Sequence, residues 1–290
     1  MRATLEVRPP YRLDLTVDAL RRVPNNPVDA FTDGRYVRAF SDDDATAIVS
    51  VTQPRADAIE VLVSGAGSQA KRYVRTAATM LGADVDLRAW YRAVRPIPWL
   101  AELTRALRGL KPPRYPDLWE ALCYAIVFQQ LSIASASSIM HRLVERLSPA
   151  VSFEGVQLHP FPRPQAFVAS RETSLRALGL SGAKAAYVRS VANDVLDGKL
   201  DARAIEALPS DEASLVLQRL RGVGAWSAAV ILLRGLGRLD VFPPADSGAA
   251  RKMKMLSADH AIDSHGLLAV LGDTRGMLYF HLLLGGLRRR

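Results

Sequence analysis

Between Leu217 and Arg234 the chain reads Leu-Gln-Arg-Leu-Arg-Gly-Val-Gly-Ala-Trp-Ser-Ala-Ala-Val-Ile-Leu-Leu-Arg, and no other stretch constrains its fold as strongly. Helix-forming residues lead into Gly222-Val223-Gly224, and a second, apolar helix follows at once. Glycines at such a point let the backbone turn sharply and let another molecule approach it closely. The amides of the turn and the first N–H groups of the second helix are then left as outward donors, which suits a phosphate. Both glycines are expected to hold backbone angles that alanine resists. Taken alone, the stretch also fits an ordinary helical hairpin with a glycine turn.

Further along, Asp240-Val241-Phe242-Pro243-Pro244-Ala245-Asp246 forms a loop stiffened by proline. It delivers Asp246 to the start of a helix expected over Ser247 to Leu256. Aspartate is a common N-cap, because its carboxylate accepts an otherwise unpaired helix N–H. Asp246 therefore reads either as a cap or as a carboxylate set out for chemistry.

Composition narrows the classes. The 290 residues are 49% hydrophobic and 23% charged, enough apolar material for a packed core. The formal net charge is +9, an excess that favours polyanionic partners, nucleic acid first and an anionic membrane surface second. The chain has no apolar run of about eighteen residues, the length a membrane-spanning helix needs, and no secretory leader pattern at Met1-Arg2-Ala3. A cytoplasmic, nucleoid-associated location is expected. The single cysteine, Cys123, excludes an intrachain disulfide, a thiolate zinc site and an iron–sulfur cluster held by this chain's cysteines alone. It lies in an apolar helical run and reads as a small buried hydrophobe. His141, His159, His260, His265 and His281 show no metal-ligand spacing, and His281 reads as a satisfied core residue. Chemistry falls to carboxylates, histidines or the backbone.

Two textures divide the chain. Residues 1–90 read as a small α+β domain. Tyr11–Val17, Ala47–Val51 and Ile59–Val63 alternate as strands, Asp33-Gly34 marks a hairpin, and the spacing of Tyr73, Val74, Ala77, Ala78 and Leu81 is helical. The run Asp42-Asp43-Asp44 reads as a turn. Residues 91–290 read as all-α, with many short helices punctuated by proline. Leu118 to Leu147 is helical with a break at Gln129-Gln130-Leu131-Ser132, and Ala183 to Leu196 is another helix. No repeat of solenoid period is present.

At this point the sequence resembles a known family. Leu220-x-Gly222-Val223-Gly224, Trp226-Ser227-Ala228, Leu232-Leu233-Arg234-Gly235, Asp240-Val241-Phe242-Pro243 and Asp246 are similar to the helix-hairpin-helix, Gly/Pro-rich loop and catalytic aspartate of the DNA glycosylase superfamily. Within it the chain most resembles the DNA-3-methyladenine glycosylase II family. Phe128-Gln129-Gln130-Leu131-Ser132, Leu175–Ser181 with Lys184-Ala185, and Tyr279-Phe280-His281-Leu282 extend the likeness. The resemblance covers residues 100–290 well and the first 90 loosely. It implies a mainly α glycosylase fold of two helical subdomains beside the small N-terminal α+β domain.

The resemblance implies roles as well. A damaged nucleotide is flipped from the duplex into a pocket. Asp246 is then the catalytic carboxylate, stabilising oxocarbenium character on the sugar and orienting the attacking water. Trp226, Gln129, Gln130 and Tyr279 fall at substrate-binding positions, with Gln130 as the wedge that fills the vacated stack. Trp226 also reads as a core residue of its helix, and Gln130 as a polar helix breaker. Gly222, Val223, Gly224 and Ser227 fall at DNA-binding positions, and the carbonyls of Gln218, Leu220 and Val223 where relatives hold a monovalent cation, Na⁺ or K⁺. No other cofactor is expected. Val230 and Leu283 stand where aromatic residues are found elsewhere in the family. Arg251, Lys252, Lys254 and Arg288–Arg290 are available to phosphates. Bifunctional relatives carry a lysine where this chain has Trp226, which removes the Schiff-base amine. The expectation is a monomeric enzyme on double-stranded DNA that removes alkylated bases of the 3-methyladenine and 7-methylguanine type, without lyase activity. The alternatives are an 8-oxoguanine glycosylase and a non-catalytic DNA-binding protein that keeps the hairpin.

Overall fold

The computed structural model describes residues 1–21, 26–41, 46–257 and 263–285. Asp42-Asp43-Asp44, His260 and Arg288–Arg290 lie outside the described residues. The N-terminal part contains β1 (Arg2–Glu6), α1 (Leu13–Arg21), β2 (Asp29–Thr32), β3 (Arg35–Ser41), β4 (Thr46–Arg55), β5 (Ala58–Ser64) and α2 (Ala70–Met80). The strands form one antiparallel sheet in the order β1-β5-β4-β3-β2. Asp33 and Gly34 take φ of 52° and 75° at the β2–β3 turn, the left-handed pair that a tight hairpin requires. Helix α2 packs against the sheet and buries Tyr73, Val74, Ala77 and Met80.

Tyr11–Val17 is not a strand. Leu13 onward is α1, because the residues that alternate also fall at helical spacing. Leu13, Val17 and Leu20 pack into the sheet core, whereas Leu15 and Ala19 pack into a helical cluster on the other side. A helix buried on two faces mimics a period of two over a short stretch.

The rest is helical: α3 (Arg88–Ala93), α4 (Pro98–Ala106), α5 (Leu118–Phe128) and α6 (Ile133–Leu147) come first. Then β6 (Val151–Phe153) and β7 (Val156–Leu158) interrupt the pattern as a hairpin turning through Glu154 and Gly155, both at positive φ. This corrects the all-α expectation. The alternating Val151-Ser-Phe and Val156-Gln-Leu carry only six paired residues, and the hairpin is held by the neighbouring sheet, where His159 N–H donates to Pro27 C=O at 2.8 Å. After it come α7 (Pro164–Ala169), α8 (Glu172–Ala177), α9 (Gly182–Leu196), α10 (Ala202–Ala207), α11 (Ser210–Gln218), α12 (Ala225–Arg234), α13 (Ser247–Leu256), α14 (Ser264–Leu271) and α15 (Gly276–Leu284).

The helices divide between two apolar cores. One gathers α5 to α12; the other gathers α3, α4 and α13 to α15 with Leu15 and Ala19 of α1. Cys123 is buried in the first. His281 is buried in the second element set, its Nδ1 2.9 Å from Met277 C=O and its ring 4.8 Å from Trp90, and burial pushes it down to about 4, so it is a neutral core residue. Arg234 at the end of α12 ties the parts together. It is fully buried, donates to the carbonyls of Ala19 and Leu20 near the end of α1, and lies over Tyr115 and Phe280 at 4.9 and 5.9 Å. A cation is well placed at a helix C-terminus, where the carbonyl dipoles concentrate negative potential. No single helix among the described residues is long and apolar enough to cross a membrane.

Candidate active site

A cleft of about 930 Å³ opens between the two helical cores. One wall is the α5–α6 loop with the start of α12; the other is the start of α13 with the last turns of α15. Asp246, Trp226, Gln129, Gln130, Ser227 and Tyr279 all line it, so residues separated by more than a hundred positions in sequence converge here.

Asp246 is the N-cap of α13. Its Oδ1 accepts the Ala249 N–H at 2.8 Å, and its Oδ2 accepts the indole N–H of Trp226 at 2.9 Å. Cap and cleft carboxylate are therefore one residue. Ala245 just before it is held at φ 53°, a sparsely populated angle for a side-chain-bearing residue that fixes how the carboxylate enters. These two bonds orient the carboxyl group in the wall of the cleft. Trp226 is half-buried, packed on the α5–α12 core while its edge reaches Asp246. It both walls the cleft and positions the carboxylate.

The α5–α6 loop is locked from behind. Gln129 Nε2 donates to Gly222 C=O and to Ser227 Oγ, each at 2.7 Å. Lys184 Nζ donates to the carbonyls of Val127 and Gln129 at 2.8 and 2.7 Å, satisfying acceptors that the end of α5 would leave unpaired. Gln130 is exposed at φ 54°, pushed to the rim by this clamp. Leu131 and Ile133 beside it are 40% and 42% exposed. The sequence gives neither a role, although two apolar side chains at a helix break are a visible signal. Ser227 is buried with its hydroxyl held by Gln129.

At the hairpin, the two glycines differ. Gly222 has φ 87°, and a Cβ there would sit 2.2 Å from Cδ2 of Tyr187. Gly224, the N-cap of α12, has φ −95° and ψ −176°, ordinary extended backbone, and a Cβ would meet nothing within 4 Å. The expectation that both need special angles holds for Gly222 alone. Gly222→Ala should therefore destabilise the protein by on the order of 1–3 kcal/mol. Gly224→Ala should change stability by under about 1 kcal/mol and yet weaken binding to every duplex alike, if the amides of this turn take a phosphate. Thermal unfolding with duplex titration checks both. A folded Gly224→Ala with intact affinity would contradict close phosphate approach at this turn.

On the opposite wall, Tyr279 is 6% exposed and packs edge-on against Phe242 and Phe280. Leu283 lines the cleft, but Val230 is buried in the α5–α12 core. Arg251 and Lys252 line the cleft, and Lys252 Nζ donates to the carbonyls of Leu282 and Leu283. Leu220 C=O accepts the Val223 N–H at 3.0 Å within the hairpin. Among the described residues no group of three or more His, Cys, Asp or Glu is placed to hold a metal ion.

A glycine hairpin beside a capped carboxylate, in a cleft between two helical cores flanked by an antiparallel sheet, defines the class: a helix-hairpin-helix protein with an appended α+β domain. A profile described as HhH-GPD superfamily base excision DNA repair protein matches residues 123–269, and one described as AlkA N-terminal domain matches residues 2–117. The chain belongs to the HhH-GPD superfamily of base excision DNA repair proteins and carries an AlkA-type N-terminal domain. It is 28% identical over 173 residues to a DNA-3-methyladenine glycosylase of Bacillus subtilis, covering 60% of this chain and 57% of that protein. It is 32% identical over 149 residues to DNA-3-methyladenine glycosylase 2 of Escherichia coli, covering 51% of each. The matched segment thus spans little more than half the length of these relatives. The solved structure of a 3-methyladenine DNA glycosylase from Archaeoglobus fulgidus superposes with a TM-score of 0.82 at 23% identity, covering 97% of both chains, a likeness of fold.

Proposed function

We propose that the protein is a monofunctional DNA glycosylase that removes alkylated bases from double-stranded DNA. The observation that carries this reading is the Asp246 carboxylate, fixed between the Trp226 indole and the Ala249 amide inside a cleft large enough for a flipped nucleotide. The hairpin amides around Gly222–Gly224 grip a phosphate without reading sequence. The nucleotide leaves the stack, Gln130 at the rim fills the gap, and the base enters against Trp226 and Tyr279. As the C1′–N bond breaks, its electron pair goes to the base and positive charge develops on the sugar. Asp246 stabilises that charge, orients the water whose oxygen bonds to C1′, and takes the proton that this water loses before passing it to solvent.

Trp226 stands where a Schiff-base lysine would be needed, so the abasic strand stays intact. A monovalent cation suits the hairpin: the neutral carbonyls of Gln218, Leu220 and Val223 match a weakly held hard ion, and Leu220 C=O keeps a lone pair beyond its bond to Val223. The protein acts as a monomer in the nucleoid-containing cytoplasm.

A lesion panel tests the assignment. Duplexes bearing 3-methyladenine, 7-methylguanine, 8-oxoguanine or no damage are incubated with the protein and the free bases quantified. Release of the methylated bases, with the undamaged duplex untouched, is expected. Release of 8-oxoguanine alone would replace the substrate, and binding without any release would reduce the protein to a DNA-binding module.

A further inference from the structure

The glycine hairpin and the rim loop of the cleft are both set from one helix. Lys184 and Tyr187 lie three residues apart on α9, so they share a face of it. Lys184 Nζ donates to the carbonyls of Val127 at 2.8 Å and Gln129 at 2.7 Å, where α5 gives way to the rim loop. Tyr187 stands so close to Gly222 that a Cβ there would meet its Cδ2 at 2.2 Å. Gln129 closes the frame between loop and hairpin. Its two amide N–H groups have acceptors in Gly222 C=O and Ser227 Oγ, so these donors face the hairpin and not a base. Helix α9 is itself anchored, with Ala185 and Val188 in the same core as α5. Half-burial works against the lysine's charge and lowers its pKa. Its bonds to two carbonyls that α5 would leave unpaired offset that cost.

We infer that Lys184 is a positioning residue for base opening, coupling the rim loop to the phosphate-binding hairpin so that the two act on the duplex as one body. The inference rests on the glycosylase reading above. Taking a base out of the stack costs pairing and stacking energy. A loop that yields under that load lets the base return. Gln130 follows directly on the residue that Lys184 holds, at φ 54°, and Leu131 beyond it is exposed. The segment that meets the vacated stack therefore starts from a fixed point. Lys184 is not among the residues lining the cleft, so its removal is felt in opening and not in bond cleavage. The hairpin's sequence-independent grip on the backbone survives that removal.

The test is single-turnover excision of 7-methylguanine from two duplexes. In one the lesion is paired with cytosine; in the other it is bulged, with no nucleotide opposite, and opening is cheaper. Wild type, Lys184→Met and Lys184→Arg are compared. Methionine keeps the length of the stem without a donor; arginine keeps charge and donors. Lys184→Met is expected to slow the paired lesion by about tenfold and the bulged lesion by less than about threefold, since only the first needs the loop held in place. Lys184→Arg is expected to keep the wild-type ratio of the two rates. Equal slowing on both duplexes by Lys184→Met, or unchanged rates on both, would overturn the positioning role. Should Lys184→Met not fold, Lys184→Gln enters the same comparison, and equal slowing there overturns the role as well. Wild-type release from the paired duplex alone would also overturn it while the glycosylase assignment stands. Release from neither duplex by the wild type would remove the assignment itself, and the inference with it.

Discussion

Asp246→Asn is expected to lower single-turnover excision of an alkylated base by about a hundredfold or more, roughly 3 kcal/mol of transition-state stabilisation. The physical reason is the lost negative charge beside the developing sugar cation. Asparagine has only one side-chain oxygen, so it can accept from the Ala249 N–H or from the Trp226 indole but not from both as Asp246 does. Helix α13 keeps a cap if the oxygen faces Ala249, because asparagine is as good a capping residue as aspartate. Stability and duplex affinity should therefore change little while the rate collapses. Near-wild-type excision by the variant would mean that Asp246 serves only as the cap of α13.

The largest expected stability effect lies away from the cleft. Arg38 on β3 and Glu120 on α5 are each 2% exposed and form an ion pair at 2.5 Å, with Asp29 3.6 Å from the same guanidinium and itself bonded to Tyr36 and Arg21. Glu120→Leu takes the nearest carboxylate from a buried guanidinium and leaves Asp29 at 3.6 Å, a change of about 3–5 kcal/mol. The pair is also imperfectly satisfied: Arg38 Nε and Glu120 Oε1 are buried with no hydrogen-bond partner among the described residues. Replacing both ends, as Arg38→Met with Glu120→Leu, should recover most of the lost stability. Urea unfolding of the two singles and the double measures the coupling. A Glu120→Leu loss below about 1 kcal/mol would contradict the claim that this pair joins the sheet to the helix leading into the cleft.

Much of this was legible in the sequence where local chemistry settles the outcome. The Gly222 turn, the proline loop, the cap at Asp246 and the break at Gln129–Ser132 are signals that short stretches carry alone, and the structure has each in place. Residues 13–17 misled because Leu13, Val17 and Leu20 face one core and Leu15 and Ala19 another, an arrangement visible only once both cores exist. The 151–158 hairpin is too short to stand out from a helical background without the sheet beside it. The bond from Trp226 to Asp246, the clamp of Lys184 on Gln129 and the pinning of Lys252 on α15 join elements far apart in sequence. No spacing rule reports such contacts, and they bring the candidate residues together around one cleft. Gly224 shows the reverse: a glycine in the motif whose backbone angles any residue could adopt.

The most direct measurement of the central claim is a single-turnover reaction of the wild-type protein on a duplex carrying one 7-methylguanine, divided into three portions. The first is analysed for free base by mass, the second for strand cleavage with and without alkali, and the third is treated with borohydride. With Asp246 as the catalytic carboxylate and Trp226 in place of an amine, free 7-methylguanine appears, the strand breaks only after alkali, and borohydride traps no protein–DNA adduct. A trapped adduct, strand cleavage without alkali, or no released base would contradict it.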